Sequence, residues 1–278
     1  MGILFTRMPQ SVAITRSVSP AFAACELTYQ ARVPIDLDVA RAQHHAYEQA
    51  LARAGYRVER LETDSAMPDS VFVEDMAIVF GELAILTRPG ARARRPEMPA
   101  IASALAPYRP LHEIQPPGSV DGGDVLVAGR TVYIGRSTRT NAAAAAQIRR
   151  ILGPFGYTVA ETDVRGCLHL KSAVTSLDED RLLLNPAWVD PAAFDGFTLV
   201  EVVPDEPSAA NVLRLADRVI VAKAFPRTAD RLAALGLRVE MVEVSELAKA
   251  EGAVTCCSLI VRPRVSEFSV GVGRRREP

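Results

Sequence analysis

Near the end of the chain two cysteines stand side by side, Cys256 and Cys257, in the stretch EGAVTCCSLI. Adjacent thiols can fill a core, bind a metal, form a strained disulfide, or supply a nucleophile beside a bystander. On a strand, neighbouring side chains point to opposite faces, so only one of the two would face a given pocket. Other chemically capable residues stand upstream. Glu74 and Asp75 interrupt an apolar run in PDSVFVED, Asp121 and Asp124 flank two glycines in GSVDGGDVL, and His169 interrupts CLHLKS. Each alone has an ordinary explanation: a strand end, a hairpin entry, a core histidine.

Their shared position in a repeated pattern sets them apart. Pairs of strand-like runs begin near residues 72, 120, 169, 210 and 254, a recurrence of about 40 to 50 residues. VFVEDMAIVF with ELAILTRP and VDGGDVLVAG with TVYIGRS are hairpins, and helical stretches follow near 95–106 and 138–152. A short helical piece is expected around 189–194 and another over TADRLAALG. The last unit, AVTCCSLIVRP, offers a single strand, for which ILFTRMP at the start would be the partner. Units of strand, strand, helix, strand cannot bury an apolar face alone and must share a core. Pairing the two ends closes the ring and leaves no open edge. The pattern therefore predicts one domain of about five quasi-repeats, with acid, acid, histidine and cysteine brought round a common axis.

Cysteine with histidine supplies a nucleophile and a proton carrier. Carboxylates beside a thiol raise its pKa, a poor arrangement unless the substrate is itself a cation. A planar guanidinium matches paired carboxylates. Arg88 in ILTRPG and Arg139 in RSTRTN lie where second hairpin strands end and together would hold a carboxylate. A ligand with a guanidinium at one end and a carboxylate at the other is an arginine derivative.

The bulk properties agree with a small-molecule enzyme. The 278 residues carry 32 Lys+Arg against 33 Asp+Glu, a formal charge of -1, and 49% of them are hydrophobic. That balance gives no reason to expect nucleic acid or an acidic membrane surface as partner. Four cysteines without CxxC spacing suggest reduced thiols in a cytoplasmic protein. No secretory signal and no run of about 20 apolar residues is visible. Gly2 and Thr6 formally fit a myristoylation pattern, but ILFTRMP reads equally well as a core strand. The basic tail GVGRRREP is expected to be a frayed end, so that 1–263 forms the domain and 264–278 the tail.

The stretches DVARAQHHAY, PDSVFVEDMAIV, ILTRPGARARR, VDGGDVLVAGRTVYIGRSTRTN, LHLKS and TCCSLI, in this order, closely resemble the dimethylarginine dimethylaminohydrolase family of the guanidino-modifying, or pentein, superfamily. The resemblance covers nearly the whole chain and implies a five-bladed α/β propeller. It implies that Cys256 is the nucleophile, His169 the general acid and base, and Asp121 the residue that orients His169. It further implies that Asp75 grips the guanidinium, with Asp69 and Glu74 in the same binding stretch, and that Arg88 and Arg139 hold the α-carboxylate. Backbone carbonyls of Leu27 and Ala250 would meet the substrate amino group. No metal or organic cofactor is implied, the partner is a methylated arginine, and oligomeric state, homodimer included, is left open. Two departures stand out: Glu251-Gly252 replaces the Asp-Gly frequent in the family, and the tail is longer than its minimum. The expected reaction is hydrolysis of Nω-methylarginine to citrulline and an alkylamine. Arginine deiminase chemistry on the same constellation, and a non-catalytic binding module of the same fold, are the rivals.

Overall fold

The computed structural model describes residues 10–63 and 65–264. Five three-stranded sheets arise from one repeated order. In each, a first strand pairs antiparallel with a second, and the second pairs parallel with a third. Ala77–Val79, Ala84–Leu86 and Leu111–Glu113 form one such sheet. Val125–Ala128, Thr131–Arg136 and Thr158–Asp163 form the next. The series continues with Val174–Ser176, Arg181–Leu184 and Thr198–Glu201, then Leu213–Arg214, Val219–Ala222 and Val239–Val242.

A parallel third strand requires a crossover connection, and here it is a helix. The crossovers are Leu37–Arg53, Met98–Leu105, Ala142–Leu152, the 3₁₀ turn Pro191–Phe194, and Pro226–Ala234. Local sequence explains their limits. Asp36 caps the first by accepting from the Asp38 and Val39 amides, and Asn141 caps the third by accepting from Ala144. Ala40, His44, Tyr47 and Leu51 recur at helical spacing and are all buried. The repeat pattern does not mark Leu37–Arg53 or the strand Arg57–Leu61; Met98–Leu105, Ala142–Leu152 and Pro191–Phe194 fall inside their expected spans, and Pro226–Ala234 begins two residues before TADRLAALG.

The ring closes as expected, with a different partner. Leu259–Val261 pairs antiparallel with Val12–Arg16, in the register Val12↔Val261, Ala13↔Ile260 and Ile14↔Leu259. Val12–Arg16 then pairs parallel with Arg57–Leu61. The expected partner, ILFTRMP, lies outside the described residues, as do the Gly2–Thr6 pattern and the tail from 265 on. The apolar clusters span adjacent repeats: Ile78, Ile85 and Ile114 of one pack with Val125, Val132 and Ile134 of the next. Shared cores of this kind are why no single repeat is an independent unit. Among the described residues, no helix is long and apolar enough to cross a membrane.

The chemically capable residues do not sit on strands, as the sequence pattern suggested. A short helical turn precedes the first strand of each repeat: Val73–Met76, Gly122–Asp124, Leu170–Ala173, Pro207–Ala210, and the turn 254–257. Four of the five turns bring a residue to one cavity, and the strands that follow carry the core.

Candidate active site

Asp75 lies within the first turn, Asp121 and His169 each stand immediately before theirs, and Cys256 lies within the last. Together with Asp69, Arg139 and Ala250 they line a single cavity of about 30 Å³. The glycines of DGGD allow this approach. An added Cβ at Gly122 would stand 2.0 Å from the Glu74 carbonyl, and one at Gly123 only 2.7 Å from His169 Nδ1.

The charged centre is a set of fixed hydrogen bonds. His169 Nε2 lies 3.1 Å from Asp121 Oδ2, and Nδ1 lies 3.9 Å from Asp75 Oδ1. Asp121 Oδ1 accepts from the Gly90 amide at 2.8 Å, and Asp75 Oδ1 from the Gly123 amide at 3.1 Å. Asp124 sits behind, accepting from Thr140, Ser137 and the Leu170 amide, and so anchors the turn that follows His169. Burial alone would lower the His169 pKa. The charge of Asp75, the hydrogen bond to Asp121 and the charge of Asp124 outweigh it and raise the value to about 9. His169 is therefore an imidazolium at neutral pH. Burial pushes Asp75 up, but His169 and Arg94 outweigh it and hold its carboxyl below the ordinary value. Burial raises Asp69 to about 6, against the opposing charge of Arg94.

Cys256 is half-buried and Cys257 fully buried beside Tyr47 and Val254. The selection expected from strand alternation holds, although a turn rather than a strand makes it. Burial pushes the Cys256 thiol well up, and Glu74 and Asp75 push it further. The resting pair is thus a neutral thiol and a charged imidazolium. Asp75, Asp121 and His169 offer three ligand-type atoms within 4.8 Å of one another. A metal would compete there with Arg94 for Asp75 and with the proton that His169 retains, so the cluster is built to hold a proton.

Several expected residues take other places. Arg88 does not join Arg139 in the cavity lining; its guanidinium donates to the Gly118 carbonyl at 3.1 Å. Arg94 lines the cavity instead. It donates to Asp75 at 2.5 Å, twice to Glu97, and to the Phe72 and Asp69 carbonyls. Three arginines within RARR hid it in the sequence; the 3₁₀ turn Arg92–Glu97 directs it inward, and its partner three residues on is the one local signal. Glu74 also stands outside the lining. It bonds Lys171 Nζ and Thr255 Oγ1, both at 2.6 Å, beneath the catalytic turns. Leu27 packs against the apolar cluster around Phe22 and Tyr47, while its neighbour Glu26 does reach the cavity.

The comparisons with known proteins agree with this geometry. No family model matches the chain. A dimethylarginine dimethylaminohydrolase of Streptomyces coelicolor is 40% identical over 259 residues, 92% of this chain and 98% of that protein. One of Pseudomonas aeruginosa is 38% identical over 226 residues, 80% and 89% of the two chains. Among solved structures, a cysteine-to-serine mutant of the Pseudomonas aeruginosa enzyme complexed with citrulline superposes with a TM-score of 0.85 at 35% identity, over 90% of this chain and 99% of the other. A histidine-to-glycine dimethylarginine dimethylaminohydrolase in adduct with S-methyl-L-thiocitrulline gives 0.86 at 35%, over 91% and 100%. The N-terminal domain of the cyanobacterial arginine dihydrolase ArgZ shares the fold alone, at 19% identity and a TM-score of 0.82. With five ββαβ repeats closed into a ring and relatives matched along almost their whole length, the chain belongs to the dimethylarginine dimethylaminohydrolase family.

Proposed function

We propose that the protein hydrolyses Nω-methylated arginine to citrulline and methylamine or dimethylamine, with 1–263 as the catalytic unit. The observation that carries this reading is the convergence of Cys256, His169, Asp121 and Asp75 on one cavity that also holds Arg139. Relatives acting on this substrate class match nearly the full chain.

The electrostatics suggest the order of events. In the free site, buried carboxylates disfavour a second negative charge, so the Cys256 thiol stays protonated. A substrate guanidinium entering beside Asp75 offsets that field, and the thiol loses its proton to water. The thiolate attacks the central guanidine carbon. Protonated His169 gives its proton to the departing amine as the C–N bond breaks, leaving a thiouronium on Cys256. His169, now neutral, takes a proton from water; the resulting hydroxide attacks the same carbon, the C–S bond breaks, the hydroxyl proton passes to the Cys256 thiolate to restore the thiol, and citrulline leaves. Asp121 keeps the imidazole oriented and its proton held. Proton transfer of this kind contributes about 10² to 10⁴-fold. Arg139, with Arg88 as the resemblance implies, would hold the α-carboxylate, whereas Arg94, tied to Asp75 and Glu97, stands at the guanidinium end. Ala250 and Leu27 would offer carbonyls to the amino group.

Citrulline formation from asymmetric dimethylarginine, monomethylarginine and arginine tests the reading directly. The expected outcome is turnover of the methylated substrates, abolished in Cys256→Ser. Turnover of arginine alone would assign the chain to deiminase chemistry, and near-normal activity in Cys256→Ser would remove the nucleophile from Cys256.

A further inference from the structure

Glu251 is the one non-glycine residue with a positive φ among the described residues, at 58°. A long side chain rarely adopts this region, and it persists where surrounding contacts over-determine it. The contacts here are made by the carboxylate. Its oxygens accept from three consecutive amides, Thr28 at 3.0 and 3.1 Å, Tyr29 at 2.5 Å and Gln30 at 2.7 Å, more than 220 residues away in sequence. A carboxylate on successive amides is a charge-assisted arrangement. Tyr29 is 52% exposed, and beyond Leu27 the strap's other fastenings are polar: Glu26 to Asp69, Arg139 to Glu26 and Thr28, and Arg32 to the Ala23 and Cys25 carbonyls.

The strap and the cavity wall meet at this residue. Glu251 and Gly252 border the catalytic cavity, and they also border a neighbouring one of about 490 Å³ whose wall includes Tyr29 and Gln30. The catalytic cavity, at about 30 Å³, has room for two or three waters of about 10–15 Å³ each. An arginine derivative enters only if part of the wall moves. The Leu27 carbonyl and the Thr28 amide share one planar peptide group, so binding that amide fixes where the carbonyl points. The Ala250 carbonyl lies in the peptide unit just before Glu251.

We infer that Glu251 is a positioning residue: its carboxylate latches residues 28–30 beside the cavity and, in doing so, sets the Leu27 and Ala250 carbonyls. This rests on the function proposed above for what those carbonyls meet, but the latch itself is judged without turnover. Glu251→Gly suits the φ of 58° while removing the carboxylate, and Glu251→Gln keeps an acceptor without the charge. In ligand-free protein, alkylation of Cys256 by iodoacetamide and tryptic cleavage after Arg32 should both run about tenfold faster in Glu251→Gly, with Glu251→Gln between. In turnover, KM should rise more than kcat falls. Unchanged alkylation and cleavage in both variants would overturn the latch, whatever the activity. Should Glu251→Gly lose its cooperative melt, Glu251→Gln decides alone by the same two rates. An enzyme inactive on methylarginine whose variants still show the faster rates would sink the functional reading and leave the latch standing.

Discussion

His169 Nε2 rests 3.1 Å from Asp121 Oδ2 across 48 residues of chain, and the two side chains come from adjacent repeats at equivalent positions. Their hydrogen bond, with Asp75 on the other ring nitrogen, is what keeps a buried histidine charged. Asp121→Asn preserves the shape and removes the charge. The His169 pKa should then fall from about 9 towards its ordinary value. The alkaline limb of kcat/KM, where the free enzyme loses the acid form of His169, should move to lower pH, and kcat should drop by about 10² or more. A pH–rate profile measures both, and an alkaline limb in its wild-type place would deny Asp121 this role.

Glu74 makes a separable prediction. After burial, its charge is the largest influence raising the Cys256 thiol, yet it lies outside the cavity, tied to Lys171 and Thr255. Glu74→Gln should lower the thiol pKa in the free enzyme, seen as a shift of the pH dependence of thiol alkylation to lower pH. It should also leave a largely buried ammonium without its counter-charge, at a cost of about 1–3 kcal/mol in denaturant unfolding. A variant with unaltered thiol titration would show that Glu74 acts on Cys256 through packing alone.

The repeat count, the closure of the ring and the positions of Cys256, His169, Asp121 and Asp75 were legible in the sequence. Apolar runs mark the strands, and polar interruptions recur at one phase of the repeat. The turns that carry those residues were not legible, because a helical turn of three or four residues has no periodicity of its own and reads as the start of the following strand. The inward turn of Arg94 was hidden for another reason. It shares one basic stretch with Arg88, Arg92 and Arg95, and only the packing of Arg92–Glu97 brings its guanidinium to the cavity. Glu74 illustrates the converse: its type and neighbourhood suited the cavity, but the turn Val73–Met76 directs it beneath, to Lys171.

Gly252 sets the width of the site. A Cβ there would stand 2.2 Å from Phe72 Cε1 and 2.4 Å from Cζ, and the Phe72 ring lines the catalytic cavity. Ring and backbone cannot both keep their places. Gly252→Ala should raise KM for methylarginine at least tenfold, or about 1.4 kcal/mol in transition-state binding, with a further loss of kcat if Cys256 is displaced. The pair Gly252→Ala with Phe72→Leu should recover part of KM. If the single variant kept wild-type kinetics, Phe72 would have to be free to move, contrary to its edge-on packing at 5.8 Å against Phe22.

His44 predicts how stability varies with pH. Burial lowers its pKa to about 4, against the opposing charge of Glu48, and its buried Nε2 has no hydrogen-bond partner among the described residues. A folded pKa below the ordinary 6.5 means that the unfolded chain binds a proton the native state refuses. Stability from this group is therefore complete above about pH 6.5 and declines as pH falls towards 4, by about 3 kcal/mol in all. His169 does not offset this. Its pKa is raised, so its contribution is fully present throughout that window and is lost only as pH climbs through about 9. Replacing the imidazole by an apolar group of similar size, His44→Leu, should leave unfolding free energy at pH 7 little changed. The loss between pH 6.5 and pH 4.5 should become shallower than in the wild type. Urea titrations at both pH values supply the comparison, and equal losses in the two proteins would place the acid sensitivity elsewhere, in carboxylates such as Asp75 whose folded pKa is depressed.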